Sequence, residues 1–159
     1  MRIILVDDEK PALEELTYII NKYSFIELIG TYNNPTIALE RILKEKPDVV
    51  FLDVEMPEIN GFTIAREIIR AEMDTIIVFV TAFDEYAIKA FEVNAVDYIL
   101  KPFHEERIDL TIKRIKNISK QHNKENNQKV IQKILEIQET KPINKLPVWK
   151  NNRILLLNP

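Results

Sequence analysis

Residues 49–61 read VVFLDVEMPEING, and the change of character along this stretch decides the fold. The first four residues form an unbroken apolar run, which is typical of a strand buried on both faces of a parallel sheet. The run ends at Asp53, and Pro57 and Gly61 then indicate a loop. Apolar residues return at helical spacing from Ile64 onward. The stretch therefore predicts a strand, a loop and a helix, with an aspartate at the carboxyl end of the strand.

The same unit recurs on both sides of this stretch. An apolar run followed by an amphipathic segment predicts a strand and then a helix, and five such units predict a parallel sheet covered by helices on both faces. In folds of this kind, ligands bind at the carboxyl ends of the strands. The five predicted strands are residues 3–6, 25–30, 49–52, 75–80 and 96–100.

Polar residues follow four of these strands at the point where each strand ends. They are Asp7 and Asp8, Asp53, Thr81 and Lys101. Because parallel strands end at one edge of a sheet, we expect these side chains to meet. Three carboxylates so close together repel one another unless a cation compensates them. A hard divalent ion such as Mg²⁺ prefers such oxygen ligands, so the cluster predicts a metal site.

The same cluster favours phosphoryl transfer. A phosphoryl group arriving at Asp53 would meet the metal ion, the ammonium of Lys101 and the hydroxyl of Thr81, which is the electrostatic arrangement that in-line transfer needs. The Asp53 carboxylate would then be the nucleophile and form an acyl phosphate. A single aspartate after a strand is more often a helix cap or a loop residue. The coincidence of polar residues at four strand ends favours the site.

Composition sets limits on other functions. The chain has 159 residues, is 46% hydrophobic and has a net charge of −3, which suits one compact domain plus some additional chain. Its mixed charges contain no strong nucleic-acid patch, and its apolar runs are too short to span a membrane. It has no cysteine, which excludes disulfides and thiol chemistry and fits a cytoplasmic protein. The two histidines, His104 and His122, argue against a histidine-rich metal site or a Ser-His-Asp triad.

Four segments of the chain form a recognisable set: VDDE at residues 6–9, DVEMPEING at 53–61, TA at 81–82 and DYILKPF at 97–103. Together they closely resemble the response-regulator receiver domain of two-component systems, and the resemblance covers residues 1 to about 120. The resemblance implies a flavodoxin-like, doubly wound α/β fold with five parallel strands in the order 2-1-3-4-5. It also implies that a sensor histidine kinase transfers a phosphoryl group to Asp53.

The resemblance also implies ligands for Mg²⁺. In this family pattern the ion is bound directly by Asp8, by Asp53 and by the backbone carbonyl of Glu55, while Asp7 acts through water. These assignments come from the matching positions of the family motif, since the strand-end pattern alone does not separate direct ligands from indirect ones.

Further residues match positions with family roles. Thr81 and Lys101 would bind the phosphoryl oxygens, and the small Ala82 would leave room for access. Tyr98 is open to two interpretations: a switch aromatic that rotates inward when Thr81 moves, or a half-buried tyrosine of a strand. The Lys101–Pro102 peptide bond is expected to be cis.

The chain changes character after residue 118. Residues 119–129 contain no apolar side chain and indicate a linker or an exposed helix, whereas Val130 to Ile137 return to helical spacing. The second apolar segment could be a packed helix, a dimer coiled coil or a spacer. Near the end, residues 146–157 alternate like a β-hairpin with a polar turn.

A second resemblance concerns the output end. Residues 81–93 resemble the fourth-helix region of regulators with a LytTR-type DNA-binding domain, and residues 145–157 resemble the first hairpin of that domain. We therefore predict a receiver domain at 1–120, a linker or helical extension at 121–145, and the incomplete start of a LytTR-type domain at 146–159. Either the chain is a truncated segment of a longer regulator, which we favour, or the natural protein stops early.

Three functions are compatible with this arrangement. The first is a transcription regulator that forms a homodimer on phosphorylation and binds DNA only through the missing output domain. The second is a stand-alone receiver that binds a protein partner through its fourth helix, fifth strand and fifth helix. The third, an aspartyl-phosphate phosphatase or phosphotransferase, is disfavoured because Glu55 stands where such enzymes need an acid/base aspartate. We thus expect no enzyme activity beyond phosphotransfer to the chain itself and autodephosphorylation, and no membrane partner.

Overall fold

The computed structural model describes residues 1–138, 146–150 and 153–157. Strands and helices alternate along the chain, as the repeated strand–helix pattern predicts. In chain order the elements are β1 (Arg2–Val6), α1 (Lys10–Ile20), β2 (Glu27–Tyr32), α2 (Pro35–Glu45), β3 (Val49–Leu52), α3 (Gly61–Arg70), β4 (Ile76–Thr81), α4 (Ala87–Glu92), β5 (Asp97–Leu100), α5 (Glu105–Gln138), β6 (Leu146–Lys150) and β7 (Arg153–Leu157).

The first five strands form one parallel sheet in the order β2-β1-β3-β4-β5. The predicted flavodoxin-like fold is therefore confirmed. All residues of β3 and β4 are buried, as is β1 beyond Arg2. This burial explains the unbroken apolar runs in the sequence, because strands inside a doubly covered sheet meet a helix layer on each face.

Alternate residues along each strand supply the two sides of the core. Ile3 and Leu5 pack in the cluster on one face, where α1 and α5 contribute residues such as Leu16 and Ile112. Ile4 and Val6 pack in the cluster on the opposite face, together with α2, α3 and α4. The period-two alternation of a strand thus places neighbouring residues in different clusters.

The second strand begins two residues later than predicted. The sequence indicated residues 25–30, whereas β2 runs from Glu27 to Tyr32. Phe25 and Ile26 are apolar because they pack against the α1/α5 core cluster ahead of the strand. The carbonyl of Phe25 accepts a hydrogen bond from the Met1 amine at 2.9 Å, just ahead of the paired residues Arg2 and Glu27. The other strand ends fall within one residue of their predicted positions.

Helix α5 runs without a break from Glu105 to Gln138 and therefore crosses the predicted boundary at residue 120. The polar stretch 119–129 lies within this helix, so its interpretation as a helix is correct. The apolar side chains predicted to form one helix face at 130–137 are not among those that the structure describes. Within the described part of the chain, no helix is apolar over a length sufficient to cross a bilayer.

Strands β6 and β7 pair antiparallel, with Trp149 opposite Ile154, so the hairpin predicted near the end is present. Of its predicted polar turn at residues 150–152, Lys150 belongs to β6, and Asn151 and Asn152 lie outside the described residues. Residues 139–145, which end the predicted linker, and residues 158–159, which end the predicted output segment, also lie outside them.

Candidate functional site

The three predicted carboxylates meet at the carboxyl ends of β1 and β3. One oxygen from each of Asp7, Asp8 and Asp53 can be chosen such that all three lie within 4.8 Å of one another. The register explains this geometry, since Val6 pairs with Leu52 and each strand then ends. The Asp53 amide also donates to the Val6 carbonyl at 3.0 Å, which extends the ladder to Asp53 itself.

The carboxylates differ in burial. Asp7 is 1% exposed and Asp53 is 6% exposed, whereas Asp8 faces solvent. Asp53 Oδ1 accepts a hydrogen bond from the Val54 amide at 2.7 Å, and Asp7 Oδ1 accepts one from the Glu9 amide at 2.9 Å. These bonds fix one oxygen of each buried carboxylate and leave the second oxygen for another partner.

Lys101 supplies a positive charge to the site from the end of β5. Its Nζ lies 2.6 Å from Asp7 Oδ2 and 3.4 Å from Asp53 Oδ2. The Lys101 amide donates to the Thr81 carbonyl at 2.8 Å, and the Lys101–Pro102 peptide bond is cis, as the motif implies. The end of β5, held against the end of β4 by this hydrogen bond, therefore directs the Lys101 ammonium toward both buried aspartates.

The pKa values show that the positive charge of Lys101 does not offset the negative charges of the three carboxylates. Burial and the charge of Asp7 raise the pKa of Asp53 to about 6, against the opposing effects of Lys101 and the Thr81 hydroxyl. Partial burial and Asp7 also raise the pKa of Asp8. Burial would lower the pKa of Lys101, but its contacts with Asp7 and Asp53 outweigh that effect and raise it. The carboxylates therefore still lack compensating positive charge.

The donor set fits a divalent cation. Asp7 Oδ2 is buried, and among the described residues its charge is met by the Lys101 ammonium at 2.6 Å. Asp8 is exposed and can turn toward an ion arriving from solvent. Carboxylate oxygens on one side and open solvent on the other suit Mg²⁺, which usually keeps several waters.

Thr81 ends β4 beside Asp53 and is fully buried. Its hydroxyl lowers the pKa of Asp53, and its Oγ1 accepts from the Phe83 amide at 3.4 Å. The following residue, Ala82, is exposed and small, so the approach to Thr81 is not covered by a side chain at that position. The geometry thus brings Thr81 together with the carboxylates, as predicted.

Tyr98 lies one strand away on β5. It is half-buried, its ring is tilted against Phe79 at 6.3 Å between centroids, and its hydroxyl donates to the backbone carbonyl of Phe83. Burial, followed by the charges of Asp84 and Asp53, raises the pKa of Tyr98 to about 12. The interpretation as a half-buried strand tyrosine describes this position, and the inward rotation remains a prediction.

Gly61 lets the loop after β3 close tightly. Its amide donates to the Val54 carbonyl at 2.8 Å. A Cβ atom at this position would lie 2.1 Å from the backbone oxygen of Asp53, far inside contact distance. The glycine in the quoted stretch is therefore required by the close approach of α3 to the backbone of Asp53.

Two polar contacts were not predicted from the strand ends. Tyr86, just before α4, donates from its hydroxyl to Glu55 Oε1 at 2.7 Å. The predicted role of Glu55 concerned its backbone carbonyl and remains a prediction. At the start of β5, the Asp97 carboxylate accepts hydrogen bonds from both terminal nitrogens of Arg107 on α5, at 2.8 and 2.7 Å. Neither contact follows a repeating pattern, so sequence periodicity gave no signal for them.

Comparison with known proteins identifies the family. A sequence model described as "Response regulator receiver domain" matches residues 3–113. The "Sensory transduction protein LytT" of Bacillus anthracis is 40% identical over 158 residues, which are 99% of this chain and 62% of that protein. The LytT protein of Bacillus subtilis strain 168 is 42% identical over 120 residues, 76% of this chain and 50% of that protein. The chain thus spans less than two thirds of these relatives.

Solved structures give the same result for the fold. The response regulatory domain of mrkE from Klebsiella pneumoniae is 35% identical, with a TM-score of 0.69 over 78% of this chain and 99% of that one. The response regulator TrrA of Thermotoga maritima, solved in complex with Mg²⁺-BeF, is 31% identical, with a TM-score of 0.64 over 72% of this chain and 97% of that one.

Proposed function

The chain belongs to the response-regulator receiver family, and from this premise we propose that Asp53 accepts a phosphoryl group from a sensor histidine kinase. The observation that carries this proposal is the position of the Asp53 carboxylate, buried at a strand end beside two further aspartates and 3.4 Å from the ammonium of Lys101. Asp7 is buried beside the same ammonium, at 2.6 Å, and the resemblance of residues 53–61 to the family motif assigns the acceptor role to Asp53.

The transfer makes one bond and breaks another. An Asp53 carboxylate oxygen attacks phosphorus as the phosphorus–nitrogen bond to the kinase histidine breaks, and the imidazole keeps the electron pair. Lys101 is placed to meet the charge on the phosphoryl oxygens, and the Thr81 hydroxyl can donate to one of them. The product is an acyl phosphate on Asp53. Beyond this transfer and its hydrolysis, we propose no enzyme activity.

Mg²⁺ is the proposed cofactor. Asp8, Asp53 and the backbone carbonyl of Glu55 would hold it directly, and Asp7 through water. When bound, the ion would offset the negative charge that gathers on the transferring phosphoryl group. Support comes from the carboxylate triad in this chain and from the related TrrA structure, whose title reports a complex with Mg²⁺-BeF.

The output is proposed from the relatives. Matching proteins are called sensory transduction proteins LytT, and each extends beyond the segment that this chain matches. We propose that phosphorylation promotes homodimerisation through the receiver and thereby controls DNA binding by a LytTR-type domain, of which β6 and β7 would be the start. Tyr98 would couple Thr81 to this change by rotating inward.

A stand-alone receiver is the alternative, and exposed apolar side chains favour it. Ile88 is 79% exposed and Phe91 is 71% exposed on α4, and Leu100 is 45% exposed on β5. Such side chains could bind a protein partner without any output domain. Fusing the remaining LytTR-type region of a relative and measuring phosphorylation-dependent DNA binding would separate the two functions.

Phosphorylation itself is tested by intact-mass measurement after incubation with acetyl phosphate and Mg²⁺. We expect one added phosphoryl group on the wild-type chain. Asp53→Asn keeps the size of the side chain and removes the nucleophile, so the variant should gain no mass on incubation with acetyl phosphate and Mg²⁺. The wild-type chain should likewise gain no mass when a chelator removes Mg²⁺. A folded wild-type protein that gains no mass under these conditions would contradict the proposal.

A further inference from the structure

The loop after β3 ends in Asn60 and Gly61, which form the only Asn-Gly pair in the sequence. Such a pair is chemically labile, because glycine has no side chain to shield its amide nitrogen from the asparagine carboxamide. The structure nevertheless needs both residues. A Cβ atom at Gly61 would collide with the Asp53 backbone oxygen, and Asn60 is the N-cap of α3. The close packing beside Asp53 therefore places a labile pair on this loop.

The reaction open to this pair is deamidation. The amide nitrogen of Gly61 loses its proton to hydroxide and attacks the side-chain carbonyl carbon of Asn60. The bond from that carbon to the side-chain nitrogen breaks, and the nitrogen takes the electron pair and a proton from water to leave as ammonia. Water then opens the succinimide ring at either of its carbonyl carbons. One opening gives aspartate, and the other gives isoaspartate, in which the main chain runs through the former side chain.

Two sets of hydrogen bonds oppose this reaction in the folded protein. The Gly61 amide donates to the Val54 carbonyl at 2.8 Å, so its proton is held. Asn60 Oδ1 accepts from the amide and the hydroxyl of Thr63, at 2.9 and 3.3 Å, which ties the carboxamide to the first turn of α3. The backbone of Asn60 is also extended, with ψ at 168°, and ring closure requires a different rotation. Deamidation must therefore wait for a local opening of the loop.

The two products would affect the loop differently. Aspartate at position 60 would preserve the cap, because aspartate and asparagine cap helices equally well and a negative charge suits a helix N-terminus. Isoaspartate would add one carbon atom to the main chain directly before Gly61. Since Gly61 lies against the Asp53 backbone without room to spare, the longer chain must shift the loop that carries Glu55. The backbone carbonyl of Glu55 is a proposed Mg²⁺ ligand.

We propose that Asn60 is a deamidation site protected by the packing of its loop on Asp53, and that isoaspartate at this position weakens metal binding at the acidic site. The modification itself follows from the geometry of the loop, whereas its effect on Mg²⁺ rests on the proposed function. Each opening of the loop gives Asn60 an opportunity to react, so modified protein accumulates with the age of the chain.

The first test compares folded and unfolded protein in chelator. Both samples are incubated at mildly alkaline pH, and isoaspartate is located by electron-transfer tandem mass spectrometry. We expect Asn60 to react in the folded protein and to react faster in unfolding concentrations of urea, by roughly tenfold or more. Asn33 is the internal reference: it is exposed and followed by Asn34, so in urea it should react more slowly than Asn60. Equal rates for Asn60 in folded and unfolded protein would overturn the inference.

A second measurement links the rate to the opening of the loop. Exchange of the Gly61 amide proton requires loss of its hydrogen bond to Val54, as deamidation does. In urea concentrations below the unfolding transition, the two rates should rise by the same factor. A deamidation rate that stays constant while Gly61 exchange accelerates would contradict the proposed protection.

The effect on the acidic site is measured with separated material. Isoaspartate-containing protein, isolated by ion exchange from aged wild type, should bind Mg²⁺ roughly 10- to 100-fold more weakly than fresh protein, the range typical when the support of a metal ligand is disturbed. Asn60→Ser is the matched control, because serine caps a helix but has no carboxamide to react. Aged and fresh Asn60→Ser should bind Mg²⁺ equally.

The outcomes separate this inference from the proposed function. If fresh wild-type protein binds no Mg²⁺, the proposed cofactor fails, while the urea comparison still decides whether Asn60 is a protected deamidation site. If fresh protein binds Mg²⁺ and the isoaspartate fraction binds it equally well, only this inference fails. An equal loss of affinity in aged Asn60→Ser would overturn it too, because the loss would then come from another change in the chain.

Discussion

The ammonium of Lys101 lies closer to Asp7 than to Asp53, at 2.6 Å against 3.4 Å. The cation of the site is thus paired mainly with the neighbour of the proposed acceptor. The Asp53 carboxylate remains only partly compensated, which agrees with its raised pKa of about 6. Because the Lys101 charge is shared unequally between the two aspartates, changes to Lys101 or Asp53 should alter metal binding, protonation and stability in different ways.

Removal of Lys101 should separate metal binding from phosphorylation. Lys101→Ala takes away a positive charge that repels an incoming cation, so we expect Mg²⁺ to bind as tightly as in wild type or up to roughly tenfold more tightly. Phosphorylation by acetyl phosphate should slow by about 100-fold, as when one donor to a developing charge is lost. Calorimetric titration and mass time courses measure the two effects.

Lys22→Ala is the control for that experiment, since the Lys22 ammonium pairs with Glu105 at 2.6 Å and touches none of the three aspartates. Both its metal affinity and its phosphorylation rate should match wild type. Weaker Mg²⁺ binding by Lys101→Ala would show that the ammonium organises the carboxylates instead of competing with the metal.

The raised pKa of Asp53 predicts how stability varies with pH in chelator. The folded protein holds this proton up to about pH 6, whereas the ordinary pKa is 3.8. The folded state thus binds more protons between these values, and the contribution of Asp53 to stability is lost as pH rises through about 6. Asp53→Asn should therefore be more stable than wild type at pH 8 by about 2 kcal/mol, with almost no difference below pH 4.

Urea unfolding followed by circular dichroism at several pH values measures that difference. An Asp53→Asn protein that is less stable than wild type at pH 8 would contradict the electrostatic description of the site. So would a stability difference that stays constant from pH 4 to pH 8.

The two glycines of the chain make a matched pair. Gly61→Ala would place a methyl group 2.1 Å from the Asp53 backbone oxygen, so we expect a loss of about 2 kcal/mol in unfolding free energy and weaker Mg²⁺ binding. Gly30→Ala meets the ring of Tyr32 at 2.6 Å, and that side chain can turn aside. Its loss should be below about 1 kcal/mol, with metal affinity unchanged. Equal losses would contradict the close-approach argument for Gly61.

Arg107 should matter for stability but not for the acidic site. Burial alone would raise the pKa of Asp97, but hydrogen bonds from Arg107 and Thr111 outweigh it and lower that pKa. Arg107→Ala leaves the buried carboxylate without its bidentate partner, and we expect a loss of about 2 kcal/mol in unfolding free energy. Arg114 lies 3.6 Å from the same carboxylate and is 58% exposed, so Arg114→Ala should cost less than about 1 kcal/mol. A larger loss from Arg114→Ala would reverse this ranking of the two pairs.

Much of the fold and the acidic cluster could be predicted because both follow from periodicity. Unbroken apolar runs located β1, β3 and β4, and parallel strands necessarily bring their carboxyl ends to one edge of the sheet. Asp7, Asp53 and Thr81 therefore met as expected. The start of β2 was misplaced because apolar residues ahead of a strand can also pack into the core, as Phe25 does.

The contacts that escaped prediction depend on side-chain placement. Glu55 and Tyr86 are 31 residues apart, and nothing in their local sequences indicates that the two loops approach each other. The same holds for the partner of Asp97, which lies on the following helix and is selected by the packing of α5 against the sheet. Such contacts arise from the assembled fold and leave no repeating pattern in the chain.

The central claim is that Asp53, and neither Asp7 nor Asp8, carries the phosphoryl group. The most direct test phosphorylates the chain with acetyl phosphate and Mg²⁺, converts the acyl phosphate to a stable adduct by reduction, and locates that adduct by tandem mass spectrometry. We predict a single adduct, at Asp53, that disappears when Mg²⁺ is chelated. An adduct at Asp7 or Asp8, or none in folded protein, would contradict the account.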